Sequence, residues 1–151
     1  MNHKSSGKVA FATAALIAMA AGAAKEMASA ATVVPVATVK WVGGPGGPPV
    51  SIAPVDGDPN KGPSHFYLKY AACFLSPNHH HSADHFVTTV SGTLVLTVDG
   101  KEQRLAPGSF FSLTKKAAHI ARCEAGTDCV MFVDARSTWD LVPEAGPATK
   151  S

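Results

Sequence analysis

Short apolar runs separated by turn signals are the feature that most restricts the fold of this chain. Between residues 50 and 134, such runs recur at intervals of about eight to twelve residues. Asp99-Gly100 lies between two of them and is the strongest short signal for a β-hairpin. No 3.6-residue helical periodicity follows the first thirty residues. The pattern predicts an all-β fold, either a sandwich or a barrel.

Two segments and the C-terminal tail give more specific predictions. Residues 32–42 are rich in Val and Thr, which predicts a first strand. Residues 65–75 alternate between a face that includes Phe66 and Leu68 and a face that includes His65 and Lys69. Strict alternation predicts a strand with one buried face, so we expect His65 to be solvated rather than a ligand. From Pro143 onward the chain is small and polar, which predicts a flexible tail.

Residues 1–30 have the pattern of a secretory signal peptide. Lys4 and Lys8 precede an apolar run over residues 9–24, and residues 28–30 form a small-x-small cleavage site. A membrane anchor is the alternative, but the run is Ala-rich and weaker than the roughly 20 strongly apolar residues of a span. We therefore expect a cleaved signal, a periplasmic or secreted protein without a membrane anchor, and a single mature domain of residues 31–151.

The charge of the mature chain argues against nucleic acid as a partner. The full sequence has 13 basic and 11 acidic residues. Lys4, Lys8, Lys25 and Glu26 belong to the signal, so ten basic and ten acidic residues remain. The formal charge of the mature chain is then zero with neutral histidines. No excess of positive charge is left to attract nucleic acid or an anionic membrane surface.

The three cysteines leave two interpretations open. Export permits disulfides, and Cys123 and Cys129 flank a turn-like insert, so they could pair across a hairpin and leave Cys73 free. Alternatively, all three are buried thiols that pack as small hydrophobic side chains. In a regular strand, Cys123 would also lie on the same side as His119, close to any metal bound there.

Histidines dominate one stretch of the sequence. Residues 79–85 contain four of the seven histidines, and His119 follows 34 residues after His85. Imidazole is the commonest protein ligand for transition metals. Because strand residues two apart share a face, His79 and His81 can aim at one point, with His85 two alternations further on, whereas His80 points away. Three consecutive histidines can also form a solvated loop, but this spacing favours a metal site. Asp84 should point outward rather than act as a base.

The histidine segment resembles the first sequence motif of the cupin family. His79-x-His81-x3-His85-x6-Gly92 has the motif's two histidines and its glycine. The family has a Glu where this chain has His85. With its flanking segments, the resemblance extends over about residues 40–142. It points to small single-domain cupins of unassigned function and to the zinc-binding cupin half of some anti-sigma factors.

A second segment resembles the second cupin motif. Gly108-x5-Thr114-x-Lys116-x2-His119 keeps the glycine and the histidine. The family has Pro and Gly where this chain has Thr114 and Lys116, and Asn where it has Cys123. The turn before His119 is therefore in question, although His119 itself is not.

The resemblance implies a cupin-type jelly-roll β-barrel that encloses one divalent transition metal: Zn, Fe, Mn, Ni or Cu. Carried over position by position, the ligands are His79, His81, His85 and His119. Replacement of the family's Glu by His85 removes the anionic ligand and leaves the charge of the metal uncompensated. That change favours an anionic small-molecule ligand or substrate.

Three functions are compatible with this resemblance. The first is a metal-dependent enzyme of dioxygenase, isomerase or lyase type that acts on a small molecule. The second is a non-catalytic metal- or ligand-binding or sensor protein, and the third is a structural zinc barrel at an oligomer interface, since cupins often form homodimers. A pocket that reaches the metal would favour the first two. Convergent polar side chains in that pocket would favour an enzyme over a binding protein.

Overall fold

A computed structural model describes residues 31–145, and within this range the chain is all-β. One turn of 3₁₀ helix at Val36–Thr38 precedes the first strand. The strands are β1 (Val42–Gly43), β2 (Val50–Gly57), β3 (Ser64–Tyr70), β4 (His79–His80), β5 (His85–Ser91), β6 (Leu94–Val98), β7 (Lys101–Leu105), β8 (Phe110–Leu113), β9 (His119–Cys123), β10 (Cys129–Ala135) and β11 (Val142–Pro143).

The strands form two antiparallel sheets that enclose the core. The first sheet has the order β1-β2-β3-β10-β5-β8, and the second has the order β11-β4-β9-β6-β7. Buried side chains from both sheets, among them Phe66, Val133 and Leu94, belong to one hydrophobic cluster. The chain crosses between the sheets several times, which gives the jelly-roll architecture that the resemblance implies.

The alternation in residues 65–75 predicts the buried face correctly but the end of the strand wrongly. Phe66, Leu68 and Tyr70 are buried, and the intervening side chains are partly exposed. The strand ends at Tyr70, because the backbone turns back with a hydrogen bond from Phe74 N to Ala71 O of 3.0 Å. Alternation alone cannot show where a chain loses its neighbouring strand.

The strand predicted over residues 32–42 is wrong. Residues 31–38 are exposed, and the only strand in this segment begins at Val42. Val33 and Val36 are 80% and 87% exposed, so these side chains have no sheet to pack against. Strand propensity therefore has no effect here, because a strand forms only where a partner supplies its hydrogen bonds.

The histidine segment does not form one continuous strand. β4 contains only His79 and His80 and belongs to the second sheet, whereas β5 begins at His85 in the first sheet. The four residues from His81 to Asp84 make the crossing between them. The prediction that a single strand aligns His79, His81 and His85 is therefore wrong for His85, which reaches the same interior from the facing sheet.

The predicted hairpin at Asp99-Gly100 is confirmed. It joins β6 to β7, and its two residues have φ angles of 50° and 72°. Positive φ at both central positions is the requirement of a type I′ turn, which suits Asp-Gly. Gly92 is also required by its position, because its φ is 74° and an added Cβ would lie 2.7 Å from Asp128 O.

The turn before His119 forms despite the loss of the family's Pro and Gly. Ala117 N donates to Thr114 O at 3.1 Å, and Lys116 adopts a φ of 66°. Lys116 thus takes the left-handed conformation that a glycine adopts at no cost. Its amide donates to His81 O at 2.9 Å, which ties the turn to the histidine segment.

The structure favours the disulfide over the three buried thiols. Cys123 and Cys129 are bonded, and both are fully buried at the junction of β9 and β10. Cys73 is free and exposed. Because Cys123 is bonded to Cys129, its sulfur is not a metal ligand.

The C-terminal segment is ordered further than its composition predicts. Val142 and Pro143 pair with β4, and Glu144 N donates to Asn78 O at 2.9 Å. The rest of the predicted tail, residues 146–151, lies outside the described range, as does the predicted signal peptide of residues 1–30. Within residues 31–145, no helix is long and apolar enough to cross a membrane.

Candidate metal centre

Four buried imidazoles meet between the two sheets. His79 lies in β4 directly opposite His119 in β9, and His81 follows β4. His85 enters from the facing sheet at the start of β5. The exposed fraction of each of these residues is 5% or less. Because residues 81–84 cross from the second sheet to the first, three of the four histidines in residues 79–85 form a cluster that lies between the two sheets.

Three of the four histidines are close enough to share a metal. One ring nitrogen from each of His79, His81 and His119 lies within 4.8 Å of the other two. The His79 and His119 ring centroids are 4.3 Å apart, and the His79 and His81 centroids are 4.9 Å apart.

His85 stands beside this trio. Its ring centroid is 4.8 Å from that of His81 and 5.9 Å from that of His119. The structure therefore brings all four predicted residues together, with His79, His81 and His119 as the tightest set. The assignment of His85 as a fourth ligand stays a prediction.

Each of the four imidazoles uses the same ring nitrogen to hold its orientation. Because a carbonyl oxygen can only accept, the Nδ1–H of each ring is the donor. His79 donates to Pro77 O at 2.8 Å, His85 to Ala83 O at 3.1 Å, and His119 to Ala117 O at 2.9 Å. In these three, the acceptor lies two positions before the histidine. His81 donates instead to the carbonyl of Asp140.

These hydrogen bonds leave the Nε2 lone pair of every ring free. The His79 Nε2 atom is fully buried and has no hydrogen-bond partner among the described residues. A buried polar atom without a partner is costly unless something else satisfies it. Histidines that ligate metals in proteins generally donate their second ring N–H to a carbonyl or carboxylate. The donor set therefore fits a transition metal held through Nε2 atoms.

Burial keeps the cluster neutral. Removal from water lowers the pKa of His79 and of His85, and it lowers the pKa of His81 to about 2 and that of His119 to about 4. The neighbouring imidazoles lower these pKa values further, because two positive charges so close would repel. Neutral imidazole is the form that binds metals, so the protein stabilises the binding-competent state.

Trp139 and Asp140 complete the site and were not predicted from the sequence. The Trp139 ring stacks on that of His81 with centroids 3.8 Å apart and packs edge-on against His85 at 5.1 Å. The Asp140 carboxylate accepts from Ser82 N at 2.8 Å and from Ser82 Oγ at 2.6 Å. The side chain of Asp140 thus fixes the segment whose carbonyl oxygen accepts the hydrogen bond from His81 Nδ1. No local pattern marks these residues, because they come from a segment 58 positions after Ser82.

The residues expected to lie outside the site do so. His80 faces away from the cluster, and its Nδ1 donates to Glu144 Oε1 at 2.6 Å. His65 lies on the outer face of the first sheet between Asp56 and Asp134. Asp84 is exposed, and its carboxylate accepts from Lys115 N at 2.7 Å, which makes it a structural residue rather than a base.

A cavity of about 240 Å³ leads to the cluster. Gly46, Pro48 and Pro49 are exposed at its rim, whereas the buried His81 and Trp139 form its inner wall. A smaller space of about 20 Å³ lies deeper, against His85 and His119. The histidine cluster is thus open to a ligand on the side of His81.

Comparisons with known proteins agree with this geometry. Residues 70–134 match the family model described as Cupin domain. The matched range includes all four clustered histidines and seven of the strands, from β4 to β10. The chain contains a cupin domain. No curated protein matches the sequence.

Solved structures of other cupins share the fold. The polyketide cyclase RemF from Streptomyces resistomycificus has a TM-score of 0.65 at 18% identity, with 79% of this chain and 88% of that chain covered. An RmlC-like cupin protein from Ralstonia eutropha JMP134 has a TM-score of 0.62 at 20% identity, with 78% and 76% covered. A cupin-superfamily sugar phosphate isomerase from Silicibacter pomeroyi has a TM-score of 0.58 at 17% identity, with 69% and 74% covered. At these identities the likeness establishes the fold alone.

Two of the departures from the family motifs, at Lys116 and at His85, differ in kind. Lys116 takes over the conformation of the family's glycine, so the second motif keeps its shape. His85 places an imidazole where the family motif has a carboxylate.

Proposed function

We propose that this cupin is a metal-dependent enzyme that acts on a small molecule. In this proposal, His79, His81 and His119 hold one divalent transition metal, with His85 as the fourth ligand. The observation that carries the proposal is the cavity of about 240 Å³ whose inner wall contains His81. A purely structural zinc would need no such approach, because closed four-ligand sites leave no position for a substrate.

In this proposal, the metal and the protein contribute differently to the site. A bound divalent metal would supply Lewis acidity or activation of a water molecule. The protein supplies orientation, because the four Nδ1 hydrogen bonds and the Trp139 stack hold the rings in place. The cavity walls exclude water and strengthen electrostatic interactions inside.

A non-catalytic ligand-binding protein is the second candidate, and one observation favours it. Among the fourteen described residues that line the cavity, only Tyr70, Ser76, His81 and the indole N–H of Trp139 offer polar side-chain atoms. Burial raises the pKa of Tyr70 to about 12, so its hydroxyl is a hydrogen-bond donor and a poor base. No side-chain acid–base pair faces the cavity among these residues, so any catalysis would depend on the metal.

An open coordination position is the first test of the proposal. Protein loaded with Co(II) should change its visible absorption spectrum when azide is added, because an exogenous anion can reach the metal through the cavity. A spectrum that azide leaves unchanged would favour the structural zinc barrel. The Leu141→Trp variant, which narrows the cavity at its wall, should weaken the response to azide but keep the Co(II) bound.

Turnover distinguishes an enzyme from a binding protein. We expect that chelator-treated protein reloaded with individual metals depletes at least one compound in a panel of small carbonyl, phenol and sugar substrates, followed by mass spectrometry. Binding of a panel compound without turnover under every metal would support the second candidate.

An anionic ligand is part of the proposal. Four neutral imidazoles leave the charge of a divalent ion uncompensated, and none of the described residues that line the cavity is Asp or Glu. An anionic oxygen on the ligand would take the place of the carboxylate that His85 replaces. Chloride, acetate and azide should therefore all compete for the metal-loaded site.

Export is proposed as well. The Cys123–Cys129 disulfide supports it, since disulfides persist mainly in oxidising compartments. Mass spectrometry of the exported form should find a mature chain that begins near residue 31. An intact N-terminus in a membrane fraction would contradict the proposal.

A homodimer is the last element of the proposal. Phe86, Val90 and Phe110 are 36%, 47% and 61% exposed on β5 and β8 at the edge of the first sheet. Light scattering should give twice the chain mass for the wild type and a monomer for Phe110→Glu. A monomeric wild type would remove the dimer and leave the metal site unaffected.

A further inference from the structure

We propose that the ligand of this site is a small aromatic compound with one anionic oxygen group, a carboxylate or a phenolate, and no second charge. This inference rests on the proposed metal site, because the anionic oxygen is assigned to the metal. The shape, charge and polarity of the cavity beside His81 carry the rest.

The size of the cavity suits about one substituted ring. An apolar cavity of about 150 Å³ is sufficient to bind benzene. The cavity here is about 240 Å³, which leaves space for a ring with a substituent.

The charge of the cavity restricts the ligand further. None of the described lining residues is Lys, Arg, Asp or Glu. A second charged group on the ligand would therefore lose its water without gaining a partner, which is costly. One negative charge would be tolerated, because a metal held by the inner histidines would supply the compensating charge.

The polar groups of the wall are partly in use. Ser76 Oγ donates to Pro77 O at 3.1 Å and accepts from Ala121 N at 2.9 Å. The His81 Nδ1–H is bonded to the carbonyl of Asp140. Within residues 31–145, the Tyr70 hydroxyl and the Trp139 indole N–H are the donors of the wall without an assigned partner, so both can donate to the bound ligand.

Aromatic rings form the sides of the cavity. Tyr70 and Phe74 meet edge to face with ring centroids 4.7 Å apart, and Trp139 lies further in against His81. Rings pack on rings in offset or edge-to-face geometry with a preference beyond simple burial. A flat ring that enters past Pro48 and Pro49 would contact all three.

Calorimetry on Zn-loaded protein tests this inference with matched carboxylates. Benzoate should bind about tenfold more tightly than acetate, which lacks the ring, and about threefold or more tightly than cyclohexanecarboxylate, which lacks only the aromaticity. Terephthalate should bind weakly, because its second carboxylate enters an uncharged cavity. Equal affinities for benzoate and cyclohexanecarboxylate, or tight binding of terephthalate, would overturn the inference.

Two variants place the benzoate in this cavity. Phe74→Leu keeps an apolar side chain and removes the ring, so benzoate affinity should fall about three- to tenfold while Zn affinity is unchanged. Phe132→Leu is the matched control, because Phe132 packs against Tyr67 and His65 on the outer face of the first sheet, away from the cavity. Equal benzoate affinity in the wild type and Phe74→Leu would place benzoate elsewhere and overturn the inference.

The proposed metal site and the proposed aromatic ligand can be refuted separately. Protein that does not bind Zn at all would remove the proposed metal site. Protein that binds Zn, and whose Co(II) form responds to azide, but that binds benzoate no more tightly than acetate would keep the metal site and remove only the aromatic ligand.

Discussion

The four inner histidines and the two outer ones, His65 and His80, show how one residue type takes two roles in this molecule. Each inner imidazole donates its Nδ1–H to a backbone carbonyl and is at most 5% exposed. The outer rings face carboxylates instead: His80 meets Glu144, and His65 lies between Asp56 and Asp134.

Whether a histidine in this protein can bind a metal depends on the hydrogen-bond partner of its ring as much as on its position in the sequence. A neutral carbonyl fixes the tautomer of an inner ring without adding charge, so the Nε2 lone pair stays available to a metal. Each outer ring instead directs a ring nitrogen at a carboxylate and away from the cluster. His79 and His80 are adjacent in the chain, yet only His79 has the environment of a ligand.

The largest expected effect separates these two neighbours. His79→Ala should weaken Zn affinity on the order of 100-fold, because it removes a ligand of the tightest trio. His80→Ala should change the affinity less than about threefold, since its ring points to Glu144. Competition titrations against a chromophoric chelator measure both, and equal losses in the two variants would contradict the comparison.

Acidification should reveal the same contrast in the metal-free protein. The folded pKa values of the inner histidines lie below the unfolded value of about 6.5, so the unfolded chain binds more protons in acid. The free energy of unfolding should be highest above pH 6.5 and should fall as the pH drops from about 6.5 to about 4, where His119 also binds a proton in the folded state.

Urea melts over this pH range measure the effect. The His119→Gln variant, which removes a buried ring, should lose part of the acid sensitivity. A profile that is identical in the wild type and His119→Gln would contradict the role of the buried rings. With metal bound the dependence should steepen, because ligation depresses the same pKa values further.

The partners of the rings give the next prediction. Asp140→Ala releases the segment whose carbonyl oxygen accepts the hydrogen bond from His81 Nδ1. Zn affinity should therefore fall about tenfold. Glu144→Ala removes the partner of His80 and should leave the affinity within about threefold of the wild type. Zn titrations of the two variants compare an inner partner with an outer one, and the reverse order would refute the account.

The smallest effect is expected where the chain departs from the cupin motif. His85→Glu restores the family's residue and should keep metal binding, with the net charge of the site lowered by one unit. Azide affinity of the Co(II) protein should fall, because the carboxylate compensates part of the metal's charge. His85→Ala should weaken metal binding more than His80→Ala does. If His80→Ala weakened binding and His85→Ala did not, His85 would not be a ligand.

Strand geometry alone predicts that His79 and His81 share a face, whereas the prediction of His119 comes from its position in the second cupin motif. His85 was also predicted, but for a reason that the structure overturns, since it lies in the other sheet. The strand over residues 32–42 failed because the sequence does not show which segments find a partner.

Trp139 and Asp140 could not be predicted at all. Their contacts with His81 and Ser82 join segments nearly 60 residues apart, and no local pattern encodes such a contact. The disulfide was one of two open interpretations, because the spacing of Cys123 and Cys129 also suits unpaired core thiols. The sequence thus predicts the clustered histidines better than the residues that orient them.

The metal content of the purified protein shows directly whether the inner histidines bind a metal. Elemental analysis of protein purified without a histidine tag, compared with the His79→Ala/His119→Ala variant, measures whether the inner histidines bind a metal. We expect about one equivalent of a single divalent transition metal per wild-type chain and almost none in the variant. A wild-type chain that remains free of metal after incubation with Zn, Fe, Mn, Ni and Cu salts, or a variant that retains the same amount, would contradict it.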